Sequence, residues 1–291
     1  MQLERFSPCK VNLFLNILGK RPDGYHELET ILHPVNVCDR LEFERGGGNE
    51  IELSCSDPSL PSGPDNLVYR AAERFFETAR IRKGIFIRLE KRIPVAAGLG
   101  GGSSNAAHAL LGLNELFEFP LGKDQVIEIA ASLGSDVPFF LQSSPALALN
   151  RGERVIPVQG LAALEGVYVL LIHPGFGIST AWAYQELAKL PQALHGEPGR
   201  ARKLITLLET TDLRTAGKAF YNSLEAPAFR KFPWLEVVQE FLREHGAAAA
   251  LMSGSGSTTF ALFESQDAAA SIRDQIHSKF GEESWTAVVP L

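Results

Sequence analysis

From Cys9 to Lys20 the apolar residues Val11, Leu13, Leu15 and Ile17 alternate with Asn12, Phe14, Asn16 and Leu18. A period of two predicts a strand, and the partly apolar second face predicts burial on both sides. RPDG (21–24) places Pro before Asp-Gly, a turn signature, so GYHELETILHPV reads as the returning strand. LEFER and IELSC, on either side of Gly46–Gly48, predict two further short strands. The period changes at Asp65: Leu67, Ala71, Phe75 and Ala79 fall on roughly one face of a helix. GIFIRLEKRI alternates again and runs into a glycine-rich segment. Beyond that segment, Ala106, Ala109, Leu110, Leu113 and Leu116 form the apolar stripe of a helix over Ser104–Phe117. Another helix, Lys123–Leu133, meets Gly134, a candidate left-handed stop. SSPALALNRGERVIPV returns to strand-like text, and the first domain is expected to span residues 1–158.

Residues 159–291 have a different rhythm. VYVLLIHP reads as a buried strand and helical segments follow, Pro233–His245 among them. AAAALMS and TTFALFE are strands around SGSG, then come a helix over Gln266–Lys279 and the closing strand WTAVVPL. The order strand, helices, strand, strand, helix, strand resembles a ferredoxin-like split βαβ unit. The expected fold class is α+β in two domains, a strand-rich first domain with helices and a ferredoxin-like second one.

Composition narrows the function classes. The chain has 291 residues, 45% of them hydrophobic and 21% charged, ordinary for a protein with a sizeable core. A formal net charge of −6 without a Lys/Arg stripe argues against a nucleic-acid partner. Cys9, Cys38 and Cys55 are an odd set with no C-x-x-C pair, a poor disulfide framework. MQLERFSPCK lacks an apolar signal region, and no apolar run approaches bilayer length. The expectation is a soluble cytoplasmic protein with no membrane contact, and nothing here implies an obligate protein partner.

The chemistry concentrates in PVAAGLGGGSSNAAHALL, which begins at Pro94. Gly98, Gly100, Gly101 and Gly102 let backbone amides approach a ligand closely. The helix that starts there adds unpaired N–H groups and the positive end of its dipole, and Ser103 and Ser104 add hydroxyls. Phosphate is the natural occupant. No Lys precedes the serines as a P-loop requires, and the glycine spacing does not match the dinucleotide fingerprint.

P-x-x-x-G-L-G-G-G-S-S-N-A-A resembles the second motif of the GHMP kinases, small-molecule kinases that wrap ATP phosphates in this loop. SPCKVNLFLNILGKRPDGYHEL is similar to the first motif of one branch, whose substrate is a cytidine diphosphate-linked polyol. LGSDVPFF resembles that branch's catalytic-aspartate segment, and LMSGSGSTTFALF the family's third motif. The matches span residues 7–264 in the family's order. The resemblance implies a two-domain kinase with its active site in the cleft between domains, ATP as co-substrate and Mg²⁺.

It implies roles for individual residues too. Lys10 and Asp136 form the catalytic pair, with Asp136 either accepting the proton of the substrate hydroxyl or only orienting it. ATP is held by Pro94, Val95, Ala96, Ala97, Gly98, Leu99, Gly100, Gly101, Gly102, Ser103, Ser104 and Asn105, with Asn66 beside the adenine nucleoside. On the substrate side stand Asn12, Tyr25, His26, Lys91, Thr180, Tyr184, Ser253, Gly254, Ser255 and Gly256. Tyr25 stacks on the base, His26 hydrogen-bonds it, and Tyr184 or Trp182 supplies the second ring. The Mg²⁺ ligands stay open.

Each position also has a plainer reading. Lys10 would be a snorkelling strand-end lysine, Asp136 a helix cap and Asn66 likewise. Lys91 would be a solvated edge residue and Ser253–Gly256 a tight turn. Two rival functions stand beside the main one: a mevalonate- or homoserine-type kinase of the same family, and an RNA-binding module.

Overall fold

A computed structural model describes residues 2–291. Two compact units emerge, neither continuous in sequence. One takes the chain up to Cys9, Val37–Ile93 and Gly100–Ser143; the other takes Lys10–Asn36, Pro94–Leu99 and Ser144–Leu291. Two long strands run through both, β1 (Gln2–Lys20) and β2 (His26–Arg45). Residue 158, the boundary drawn from the change in rhythm, lies inside the second unit.

In the first unit, β3 (Ile51–Cys55) lies parallel to β4 (Ile85–Glu90), and β4 lies antiparallel to Arg40–Arg45 of β2. LEFER is thus the far end of β2 rather than a separate strand. Asn36 and Asp39 break the apolar alternation, but Asp39 is buried and fully paired, so the strand continues through it. Asn66 caps the helix Leu67–Ala79 by accepting from Val68 N at 2.9 Å. The helix expected from Ser104 begins three residues earlier, at Gly101, and ends at Leu116. Its expected stripe is buried throughout, and Leu110, Leu113 and Leu116 each contribute about 1.5–3 kcal/mol of burial. Gly112 lets it approach the sheet: a Cβ there would meet the Phe43 ring at 2.7 Å. Lys123–Leu133 is helical as expected, but Gly134 has φ 171°, so this helix leaves into extended backbone rather than a left-handed turn.

In the second unit, β5 (Ala146–Asn150) pairs antiparallel with Leu28–Leu32 of β2 and forms a hairpin with β6 (Arg154–Pro157). The remaining strands are β7 (Tyr168–His173), β8 (Tyr221–Asn222), β9 (Ala249–Met252), β10 (Thr259–Phe263) and β11 (Trp285–Pro290). β8 lies parallel to Phe14 and Leu15 of β1. The others form a sheet in the order β11-β7-β10-β9, antiparallel at each pairing. That is the order a ferredoxin-like split βαβ requires. Helices Pro233–Glu244 and Gln266–Phe280 cover it, with Val238, Leu242 and Ile276 packed on Leu170, Ile172 and Ala261. Among the described residues no helix is long and apolar enough to cross a membrane.

Candidate active site

The glycine-rich segment divides between the units, Pro94–Leu99 in the second and Gly100 onward in the first. In the second, it is fastened from two directions. Lys10 N donates to Leu99 O at 3.0 Å. Lys10 Nζ donates to Gly98 O at 2.7 Å and to Asn12 Oδ1, and Asn12 Nδ2 donates to Thr30 Oγ1 at 2.9 Å. Lys10 is 3% exposed and lies within β1, so the snorkelling strand-end alternative does not describe it. Its ammonium stays inside because backbone and side-chain oxygens replace water around it.

The second fastening is the SGSG turn. Ser253 Oγ donates to Gly98 O at 3.0 Å, and Thr258 N to Ala97 O at 3.1 Å. The turn closes on itself through Gly256 N to Ser253 O at 3.0 Å. Gly98 has φ +78°, and a Cβ there would lie 2.0 Å from Ser253 O. Only glycine fits that approach. Asn222 holds the turn from behind, its Nδ2 donating to Met252 O (2.7 Å) and Gly254 O (2.8 Å). Glu225 accepts from Met252 N at 2.8 Å and from Gln239 at 2.7 Å, and burial pushes its carboxyl up to about 7. Ser253–Gly256 is therefore a tight turn that also carries the glycine segment. Thr180 Oγ1 lies 2.9 Å from Ser255 Oγ, which brings two of the expected substrate residues together.

The expected base pocket lies in the same unit. The RPDG turn forms, with Gly24 N bonded to Arg21 O (3.1 Å) and Tyr25 N to Asp23 Oδ1 (3.1 Å). Tyr25 is 55% exposed, and the Arg151 guanidinium lies over its ring at 4.7 Å. His26 stacks on Tyr184, centroids 4.7 Å apart and planes 28° from parallel. His26 Nε2 is buried with no hydrogen-bond partner. Burial, with the Lys20 ammonium adding to it, holds this imidazole below its usual pKa. Trp182 faces elsewhere, edge-on to Phe232 with Lys231 Nζ over its ring. Tyr184 is the aromatic that joins the His26 neighbourhood.

In the first unit, Gly100 caps the helix Gly101–Leu116 at φ +70° with no side-chain cap. The amides of its first turn have no partner within the helix, which is the geometry of an anion site. Ser103 is half-buried on that turn. Ser104 is fully buried, its hydroxyl accepting from Ser7 Oγ at 2.8 Å, so it serves the interior. Asn66 uses its side-chain oxygen as a cap and its Nδ2 on Pro61 O (2.8 Å), in line with the capping alternative. Lys91 is no solvated edge residue: its ammonium is buried in an ion pair with Asp39 and donates to Asn105 Oδ1 at 3.1 Å. Asp136 lies in the turn between the helix Lys123–Leu133 and the 3₁₀ turn Pro138–Leu141. That turn has Val137 at its cap and no side-chain cap bond, so the plain-cap reading does not describe Asp136. Among the described residues, no three or more His, Cys, Asp or Glu side chains gather as a metal site.

Sequence reasoning passed over Asp39, Asn222, Glu225 and Arg151. Asp39 alone left a signal, a carboxylate inside the apolar text of NVCDRLEF.

The family model for the GHMP kinases N terminal domain matches residues 66–144, and that for the GHMP kinases C terminal matches 204–283. The 4-diphosphocytidyl-2-C-methyl-D-erythritol kinase of Citrifermentans bemidjiense is 42% identical over 269 residues, 92% of each chain. This chain belongs to the GHMP kinase family. The kinase of the same name from Synechococcus sp. is 42% identical over 280 residues, covering 94% of this chain and 89% of its own. A solved 4-(cytidine 5'-diphospho)-2C-methyl-D-erythritol kinase superposes with a TM-score of 0.82 at 37% identity, over 99% of this chain and all of its own. The homoserine kinase of Cytophaga hutchinsonii shares the GHMP kinase fold at a TM-score of 0.77 and 21% identity, over 99% of this chain and 93% of its own.

Proposed function

We propose that this GHMP kinase transfers the γ-phosphate of ATP to the 2-hydroxyl of 4-diphosphocytidyl-2-C-methyl-D-erythritol, a step of non-mevalonate isopentenyl diphosphate synthesis in the cytoplasm. The observation that carries the choice of substrate is the ring pair of His26 and Tyr184. It offers an aromatic face together with a buried, unpartnered ring nitrogen. Stacking accepts any base, so hydrogen bonds must select cytosine. Mevalonate and homoserine carry no base and have no use for such a pair. An RNA-binding module fits neither the charge nor the family.

The substrate hydroxyl attacks Pγ. The new O–P bond forms as the bond to the β,γ-bridging oxygen breaks, the hydroxyl proton passes to the Asp136 carboxylate, and ADP leaves. Phosphoryl transfer leaves little covalent work to the protein. Gly98, pinned by Lys10, Ser253 and Thr258 through its own and neighbouring carbonyls, fixes the segment that receives the phosphates. The amides of Gly101–Ser103 face charge developing on the transferred group. The Lys10 ammonium, held at Gly98 O, is assigned the role of supplying positive charge to the step. Mg²⁺ travels with nucleotide phosphates and takes one or two oxygens from a protein. The Ser103 hydroxyl on the first turn of the helix Gly101–Leu116 is an oxygen donor of the right kind, and the ion would neutralise phosphate charge there.

Tyr184→Ala tests the base pocket. It is expected to raise KM for the cytidine substrate by about tenfold or more and to leave KM for ATP within about threefold. An unchanged substrate KM would remove the ring pair from substrate recognition.

A further inference from the structure

Asp39 is fully buried, and every contact of its carboxylate leads to a shoulder of the glycine segment. Oδ1 accepts from Arg92 N (2.7 Å) and Ile93 N (2.9 Å), the last two residues before Pro94. Oδ2 pairs with the Lys91 ammonium and accepts from Asn105 Nδ2 at 2.9 Å. Lys91 also donates to Asn105 Oδ1, which closes a triangle of three side chains. Asn105 Nδ2 reaches Ser7 Oγ as well (2.9 Å), and Ser7 holds Ser104. Arg92 and Ile93 lead into the segment. Ser104 and Asn105 lie in the helix that follows it. One carboxylate binds both.

The fit is close. A Cβ on Gly101 would come within 3.1 Å of Ile93 Cγ2 and 3.4 Å of Lys91 Nζ. The Lys91 ammonium thus sits at the first residue of a helix, where the dipole opposes a cation. A carboxylate beside it offsets that cost. A buried ion pair is weak evidence for stability, because desolvation cancels much of the attraction. The placement of this one, on two backbone amides before the segment and one side chain after it, has a geometric use.

We infer that Asp39 is a positioning residue for the nucleotide. It sets the separation between Ile93 and the start of the helix Gly101–Leu116, so that the amides around Gly100–Ser103 converge on one phosphate. The inference rests on the reading of this segment as the ATP site. Asp39 touches neither substrate nor the reacting atoms.

The test compares steady-state KM for ATP and for the cytidine substrate in the full chain, with melting temperature alongside. Asp39→Asn keeps the shape but turns an N–H₂ toward the donors of Lys91 and Asn105. It is expected to raise KM for ATP by about tenfold or more while the substrate KM stays within about threefold. Asp39→Glu keeps the charge and the Lys91 pair, so it folds without an unpaired buried ammonium. Its longer stem moves the carboxylate off the Arg92 and Ile93 amides, and KM for ATP should still rise about fivefold. Wild-type KM for ATP in both variants, whatever their melting temperatures, overturns the inference. So does an equal rise in both KM values, or full recovery in Asp39→Glu. If the wild-type chain shows no ATP dependence at all, the kinase reading falls and takes this inference with it. If the wild type is active and both variants match it, this inference alone falls.

Discussion

Asp136→Asn should lower kcat by about 10²–10⁴-fold, the range for a positioned general base, while substrate KM stays within about threefold. The substitution keeps size and most hydrogen bonding but removes the basic oxygen and its charge. Lys10→Met should cost about 10²–10³-fold in kcat, as loss of a charge-stabilising donor does. It also leaves Gly98 O and Asn12 Oδ1 without the ammonium that now donates to them. The two residues are assigned to one step, so the double variant should be little worse than the poorer single one, far from the product of the two losses. Independent structural roles would give additive losses of melting temperature and a near-normal kcat. A normal kcat in Asp136→Asn would end the assignment.

Gly98→Ala is expected to be among the most damaging single-methyl additions in the chain. Left-handed backbone costs an L-residue about 1–2 kcal/mol. The new Cβ would lie 2.0 Å from Ser253 O and 3.0 Å from Gly256 N, both backbone atoms of a turn that Asn222 holds in place. Neither can rotate away, so the segment must withdraw from Lys10 and Ser253. We expect destabilisation of about 2–4 kcal/mol, among the large values for a point change, with kcat/KM for ATP down by about tenfold or more. Gly102→Ala is the control. Its Cβ would meet only Leu67 Cδ1, at 3.7 Å, an ordinary contact. Within a helix, Gly→Ala stabilises by about 0.5–1 kcal/mol. Melting temperatures should move in opposite directions for the two variants. A Gly98→Ala protein as stable as wild type would contradict the close approach described here.

What was legible in the sequence was periodicity and glycine. The stripe Ala106–Leu116 and the split βαβ order of residues 168–290 follow from spacing alone, and the glycines announce the left-handed backbone at Gly98 and Gly100. Asn66 shows both sides of such reading, since its position next to an apolar run announces a cap whatever else it does. Continuity of β2 was hidden because Asp39 looks like an interruption until its partners, 52 to 66 positions away, are known. Discontinuous units were hidden for a similar reason: β1 and β2 change unit without any change in their alternation. The role of Asn222 is invisible locally, because its acceptors at Met252 and Gly254 lie 30 and 32 positions on. That Tyr184 rather than Trp182 lies against His26 needed the helix Thr180–Leu187 in place, since that decides which ring meets His26 and which meets Phe232.

Substrate identity is tested most directly by ADP release from the purified chain with Mg-ATP, measured side by side with 4-diphosphocytidyl-2-C-methyl-D-erythritol, mevalonate and homoserine. Turnover with the cytidine compound alone, with one phosphate gained on its 2-hydroxyl, is the expected result. Background rates with that compound together with turnover of mevalonate or homoserine would contradict the proposed function, and would leave the His26–Tyr184 pair without a ligand.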